Sequence, residues 1–359
     1  MVTLRLYTDT ITGTEVTSNY MELYYKINIV TGDSGSGKTF FLSNLTKAIN
    51  GVDFWHVDCN KDILIVHDLQ IVDYIMNITD KLIIIDENEI DALNKRKLLS
   101  KLLQTHNYFL LLDRDRLVSD INVNAVYELL EGSTIEKVRT FELVKRFKLE
   151  HSKISFNSGM FAGIITEDSK SGRDFWDSMF SGLNVINTTY GNGQVYVEIK
   201  KAQANTNNLL LIALDYDRGA SCMLAIHRDT SIDQSKLVYV SMESFEEVLC
   251  NSEFILQAFP EMRDKVINYK NYLDATYKHA GKYFSKLLHK YVKQPSPFAK
   301  PGDANYEKFY SKGMQNFTEC FIDECCTYNG LQGFTCKLQM VNKRDKLLNN
   351  KFESLNQLR

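Results

Sequence analysis

The sequence predicts an α/β protein with two sheets in succession, followed by a helical C-terminal region. Three observations carry that prediction. Apolar runs of strand length recur at residues 27–30, 82–85, 108–112, 161–165 and 209–214, each ending in glycine or acidic residues. The stretches between them space their apolar residues as helices do. The strand pattern also restarts near Lys153, which divides the chain into regions 1–148, 149–251 and 252–359.

The first elements surround a glycine-rich octet, GDSGSGKT, running from Gly32 through Asp33, Ser34, Gly35, Ser36 and Gly37 to Lys38 and Thr39. A buried strand precedes it. Behind it, Phe41, Leu42, Leu45 and Ile49 repeat with helical spacing. Strand, glycine loop and helix in that order make a P-loop, whose backbone N–H groups and helix N-terminus cradle a polyphosphate. Lys38, on a loop expected to face solvent, would reach the β- and γ-phosphates, and Thr39 would offer its hydroxyl to Mg²⁺. ATP and Mg²⁺ are the expected ligands.

Two later strands belong to the same site. The run at 82–85 ends in Asp86-Glu87, the pattern of a Walker B element: Asp86 on the Mg²⁺ side, Glu87 polarising the attacking water. The run at 108–112 ends in Asp113, placed to sense the γ-phosphate. Arg114 and Arg116 read either as charge-neutralising fingers or as a solvated loop of paired charges.

Composition narrows the class. In 359 residues, 44% are hydrophobic and 24% charged, an ordinary globular balance, and the formal net charge is −3. Nucleic-acid contact would therefore depend on local basic patches. No run is long and apolar enough for a membrane span, and the first residues lack the features of a signal peptide, so a cytoplasmic protein is expected. The odd number of cysteines argues for free thiols. Cys320, Cys325, Cys326 and Cys336 match no common zinc spacing, and the stretch 320–326 reads as helix; buried small apolar residues are the alternative to zinc.

The second region repeats the theme of acids at strand ends. Residues 161–165 lead into Glu167-Asp168, and residues 209–214 deliver Asp215 and Asp217. A run ending at Val240 leads into Ser241 and Glu243, with Glu246 following. Carboxylates two apart at a strand end share a face. With a glutamate from the next strand they form an oxygen-rich set suited to Mg²⁺ or Mn²⁺, which acts on phosphodiesters. The helix after Glu167 is expected to begin near Asp174.

These residues carry two resemblances. The glycine octet with Asp86-Glu87 resembles the P-loop ATPases whose Walker B ends in Asp-Glu, although nothing reads as an LSGGQ-type signature. Glu167 followed by Asp215-x-Asp217 resembles the Toprim domain. Glu167 matches that family's general acid/base and Asp215 and Asp217 its metal ligands, and Ser241-x-Glu243 resembles a later acidic element; Asp168 stands where the family commonly has glycine. The order of domains is similar to the overcoming-lysogenization-defect nucleases and to the ATPase and Toprim effectors of phage anti-restriction-induced systems. That resemblance implies an ATP-controlled, divalent-metal-dependent nuclease acting on DNA or tRNA, in antiviral defence or a mobile element, as a homo-oligomer or with a partner protein. The alternative it leaves is an ATP-binding interaction module with a silent Toprim-like domain.

In the tail, lysines and tyrosines interleave from Tyr269 to Tyr291. They read either as a surface for phosphates and bases or as an amphipathic helix with its lysines in solvent. Three of the four prolines cluster at Pro295, Pro297 and Pro301, which marks a linker or long loop.

Overall fold

The computed structural model describes residues 1–9, 15–32, 35–52, 54–66, 72–86, 101–113, 121–135, 138–147, 149–154, 158–168, 171–180, 183–187, 192–273, 279–291, 318–328 and 334–342. It is mixed α/β with three sheets, and it divides into two compact units. One comprises Met1–Lys148 and Lys270–His279, the other Leu149–Tyr269 and Ala280–Arg359.

In the first unit, β1 (Val2–Asp9), β2 (Glu15–Leu23) and β4 (Trp55–Cys59) form an antiparallel sheet in the order β2-β1-β4. Every second residue of β1 is buried, as expected of a sheet with one covered face. The second sheet runs β5-β6-β7-β3-β8-β9, from β3 (Ile27–Thr31), β5 (Ile63–Val66), β6 (Leu82–Asp86), β7 (Tyr108–Leu112), β8 (Val126–Ile135) and β9 (Val138–Lys145). Its first five strands are parallel and β9 is antiparallel. All residues of β3 and β7 are buried, which is why they read as continuous apolar runs.

The helices described from end to end in this unit are α1 (Lys38–Ile49) and the short α2 (Val72–Ile75). Phe41, Leu42 and Leu45 of α1 join a core with Leu4, Leu6, Met21, Trp55 and Leu110. Phe141 stacks on Trp55 with ring centroids 5.3 Å apart and meets Phe41 edge-on. Burial of Phe41 alone is worth roughly 1.5–3 kcal/mol. Ile49, expected on the same face, is exposed at the end of α1.

The second unit holds a seven-stranded sheet in the order β10-β15-β16-β14-β13-β11-β12. Its strands are β10 (Leu149–Ile154), β11 (Phe161–Thr166), β12 (Asn184–Asn187), β13 (Leu209–Ala213), β14 (Leu237–Val240), β15 (Thr318–Tyr328) and β16 (Phe334–Asn342). The run β16-β14-β13-β11-β12 is parallel, and β15 is antiparallel to both its neighbours. The helices are α3 (Ser171–Met179), α4 (Asn192–Asn205), α5 (Ala220–Arg228), α6 (Phe245–Cys250), α7 (Glu253–Ala258), α8 (Arg263–Ile267) and α9 (Ala280–Tyr291). Helix α3 starts at Ser171, earlier than the sequence reading placed it near Asp174.

The expectation of a helical region over 252–359 is corrected by β15 and β16. Both are strands of the second unit's sheet, and β16 pairs in parallel with β14. Cys320, Cys325 and Cys326 thus lie on a strand, not a helix. The sequence of β16 does alternate, with apolar residues at every second position from Phe334 through Cys336 and Leu338 to Met340. Its pairing with a strand far earlier in the chain is what local spacing could not reveal. The α9 segment is amphipathic: Tyr283, Phe284, Leu287 and Leu288 are buried while Lys282, Lys286 and Lys290 are exposed. Among the described residues no helix is long and apolar enough to cross a membrane. The proline cluster lies outside them.

Candidate functional site

In the first unit, β3 ends at Thr31 and the chain enters the glycine loop. Gly35 and Gly37 have φ of +88° and +99°, backbone that side-chain-bearing residues rarely adopt. A Cβ on Gly32 would lie 2.5 Å from Ser36 Oγ and 3.3 Å from the Leu129 carbonyl, so the loop closes only around glycine. Gly37 leads directly into α1, whose start carries no side-chain cap. The Ser36 hydroxyl is buried without a hydrogen-bond partner. Positive-φ glycines, an uncapped helix start and an orphaned hydroxyl together fit an anionic ligand. Asp33 and Ser34 lie outside the described residues.

Lys38 differs from expectation. It is buried, and Nζ donates to the Gly32 carbonyl at 2.5 Å, folding the side chain back over the loop. The first residue of a helix packed on β3 has its aliphatic stem drawn into the core. Thr39 follows, exposed. Asp86 ends β6 and is partly exposed; Asp113 follows β7 and is buried, its N–H donating to the Val30 carbonyl at 3.0 Å. Because β7 lies between β6 and β3, these acids and the glycine loop lie at one edge of one sheet. Glu87, Arg114 and Arg116 lie outside the described residues.

In the second unit, β11, β13 and β14 are parallel neighbours, and their C-terminal ends deliver Glu167, Asp215 with Asp217, and Glu243. One hydrogen bond links two of these residues: the Asp215 peptide N–H donates to Glu167 Oε1 at 2.6 Å. Burial pushes the Glu167 carboxyl up to about 7; the Asp215 N–H pulls the other way, and the charge of Asp168 adds to the rise. Asp215 is raised well above its ordinary value, by burial first and then by the negative charges of Glu167, Asp168, Glu246 and Asp217. Its Oδ1 accepts from the Phe245 N–H at the start of α6, at 3.1 Å.

Asp168 belongs to this group. Its Oδ2 accepts from Trp176 Nε1 at 2.7 Å and from the Thr166 hydroxyl at 3.1 Å, and burial raises its pKa. Gly172 packs so closely that a Cβ there would lie 2.5 Å from Asp168 Cβ. Glu246 acts electrostatically on both aspartates, a part the sequence reading did not give it. Its position in the first turn of a helix packed behind Asp215 was the available signal. The Cys222 thiol, near Glu167, is pushed up to about 12 by burial, which makes it a poor nucleophile.

Asp217 and Glu243 are drawn elsewhere. Asp217 is buried, its Oδ1 accepting from the Ala280 N–H at 2.9 Å and its Oδ2 from the Gly281 N–H at 2.5 Å, both at the start of α9. Glu243 is buried with Oε1 accepting from the Tyr269 hydroxyl at 2.5 Å. Among the described residues no group of three or more His, Cys, Asp or Glu stands where it could hold a metal ion. The expected convergence of Glu167, Asp215 and Asp217 on one ion is thus corrected: Glu167 accepts from the Asp215 peptide, the Asp215 carboxyl accepts from the Phe245 N–H, and Asp217 caps a helix. Glu167 and Asp215 are two recessed carboxyls raised chiefly by burial, with the charge of Arg218 acting against the rise at Glu167.

Comparison with protein-family models, with curated proteins and with solved structures gave no match.

Proposed function

We propose that this chain binds ATP in its first unit and hydrolyses phosphodiesters of DNA or RNA in its second, with ATP controlling cleavage. The observation that carries the proposal is the contact of Glu167 with Asp215 at adjacent strand ends, alongside a glycine loop suited to polyphosphate. Backbone N–H groups from Gly32 to Gly37 and the Lys38 ammonium would hold the phosphates. Thr39 and Asp86 would hold Mg²⁺, and Asp113 would lie beside the γ-phosphate. Glu87 is the sequence candidate for orienting water.

In the second unit, Glu167 and Asp215 would hold Mg²⁺ or Mn²⁺. A divalent cation supplies charge neutralisation at the phosphodiester and a more acidic water. Glu167, titrating at about 7, is poised to take or give a proton near neutral pH. The antiviral or mobile-element setting rests on the resemblance to ATP-dependent Toprim nucleases.

The test incubates supercoiled plasmid, single-stranded DNA and tRNA with the protein, Mg²⁺ or Mn²⁺, and ATP. Cleavage is expected, with loss in Glu167→Gln and Asp215→Asn. No cutting of any substrate, or equal cutting by both variants, defeats the nuclease reading.

A second reading has its own support. Asp217 is engaged by α9 and Glu243 by Tyr269, which favours a nucleotide-operated interaction module with a silent second unit. Mn²⁺ that fails to bind the wild-type chain in calorimetry would favour it.

A further inference from the structure

Strand order decides what stands on either side of the glycine loop. The loop follows β3, whose neighbours in the sheet are β7 and β8. On the β7 side lie Asp113 and, one strand further, Asp86. A nucleotide laid on the loop would turn its Mg²⁺ and γ-phosphate end toward those acids. Its base end then falls on the opposite side, beside β8.

Strand β8 pairs with β3 over Val126, Tyr127 and Glu128, and from Leu129 onward it runs past the end of β3 as a hairpin with β9. The loop packs on this hairpin: a Cβ on Gly32 would lie 3.3 Å from the Leu129 carbonyl, and one on Gly37 would lie 3.9 Å from Leu129 Cδ2. On β9, Arg139 reaches across to α1, its guanidinium 5.5 Å from the centre of the Phe40 ring. Phe40 belongs to the first turn of α1, and its Cβ is 3.9 Å from where a Cβ on Gly37 would stand. The pair therefore borders the loop on its β8 side.

Both side chains are held in place. Phe40 meets Trp55 and Phe141 edge-on, with ring centroids 6.4 and 6.1 Å apart. Arg139 Nη2 donates to Glu131 Oε1 at 2.8 Å. An ion pair this exposed contributes little to stability; what it does is fix the guanidinium over the ring. A guanidinium is planar and stacks on flat π-systems. Arg139 has Phe40 beneath it and its side chain is still 48% exposed, which leaves area for a second flat ring.

We propose that Arg139, backed by Phe40, is the seat of the nucleobase. The inference rests on the polyphosphate reading of the glycine loop and adds to it the place of the other end of the ligand.

The test compares ATP with inorganic tripolyphosphate, which has the phosphates and no base, by titration calorimetry of the full-length protein with Mg²⁺. Arg139→Ala and Arg139→Lys are each expected to weaken ATP on the order of tenfold, the worth of stacking one base. Both should leave tripolyphosphate within about twofold of wild type. The lysine keeps the charge and lacks the plane, so it separates stacking from attraction to phosphate. Wild-type ATP affinity in either variant overturns the seat. So does tripolyphosphate weakened as much as ATP, since Arg139 would then act on the phosphates. Lys38→Ala keeps the two readings apart: if it loses both ligands while the Arg139 variants bind ATP normally, the loop holds phosphate and the base lies elsewhere. If wild type binds neither ligand, the loop reading and the seat fail together.

Discussion

The Asp215 N–H is hydrogen-bonded to the Glu167 carboxylate at 2.6 Å, joining two parallel strands at their acidic ends. The contact is made by the Asp215 peptide, while its carboxyl accepts from the Phe245 N–H and still feels the charge of Glu167. Local repulsion is therefore built in, and it has consequences for stability.

The first is an inverted pH dependence. Glu167 is raised from 4.5 to about 7, chiefly by burial. A carboxyl raised on folding binds its proton more tightly in the native state, so its contribution is fully present below 4.5 and lost as pH rises through 7. Asp168 and Asp217 bear on the same group with like charge, and the Asp215 N–H and Arg218 oppose them. Urea unfolding without divalent cation should show stability falling between about pH 5 and 8, with Glu167 contributing at most about 1.4 kcal/mol per pH unit. Glu167→Gln should flatten the slope, and Mg²⁺ should raise stability most at the alkaline end. A profile unchanged by Glu167→Gln would refute this account.

Gly172→Ala should destabilise the protein, against the usual trend. Within a helix the exchange ordinarily gains about 0.5–1 kcal/mol. Here the new Cβ would meet Asp168 Cβ at 2.5 Å and Cγ at 2.8 Å. Overpacking of that kind costs about 1–3 kcal/mol, so the clash wins. A higher urea midpoint than wild type would contradict the packing described.

Lys38→Ala should lose both ATP affinity and some stability. Nζ is bonded to Gly32 in a buried setting, so the exchange removes an intramolecular contact worth about 1 kcal/mol as well as the phosphate partner. Calorimetry should show ATP binding weakened by on the order of a hundredfold, about two charge-assisted hydrogen bonds. Equal affinity would remove the P-loop assignment.

Much of the parallel framework was legible in the sequence, because strands buried on both faces are uninterrupted apolar runs: β3, β6, β7, β11 and β13 all read directly. Each ended in a residue whose chemistry stood out. The tail was illegible for a physical reason. Strands β15 and β16 pair with each other, but they join the sheet through β10 and β14, and pairing with strands so far back leaves no trace in local periodicity. Asp217 illustrates the same limit at a single residue. Its spacing from Asp215 predicted a shared ligand, but its hydrogen-bond partner lies 63 residues further along the chain. Asp168 sat in plain view; what could not be foreseen was the indole of Trp176 holding it.

Glu243 separates a ligand from a support. It was expected to bind metal, yet it is buried with its carboxylate on the Tyr269 hydroxyl, and Tyr269 lies against Phe284 of α9 with ring centroids 5.1 Å apart. Tyr269→Phe keeps that ring contact and removes the donor to a buried carboxylate. The cost should be about 1–3 kcal/mol in urea unfolding, the range for leaving a buried group less satisfied. Mn²⁺ affinity should stay within about twofold of wild type, well inside the roughly tenfold step that each 1.4 kcal/mol of binding makes. Glu243→Gln should behave alike, losing stability and not cation affinity. If instead Glu243→Gln weakens Mn²⁺ binding as strongly as Asp215→Asn does, Glu243 belongs to the cation site, and its bond to Tyr269 is a resting contact that the ion displaces.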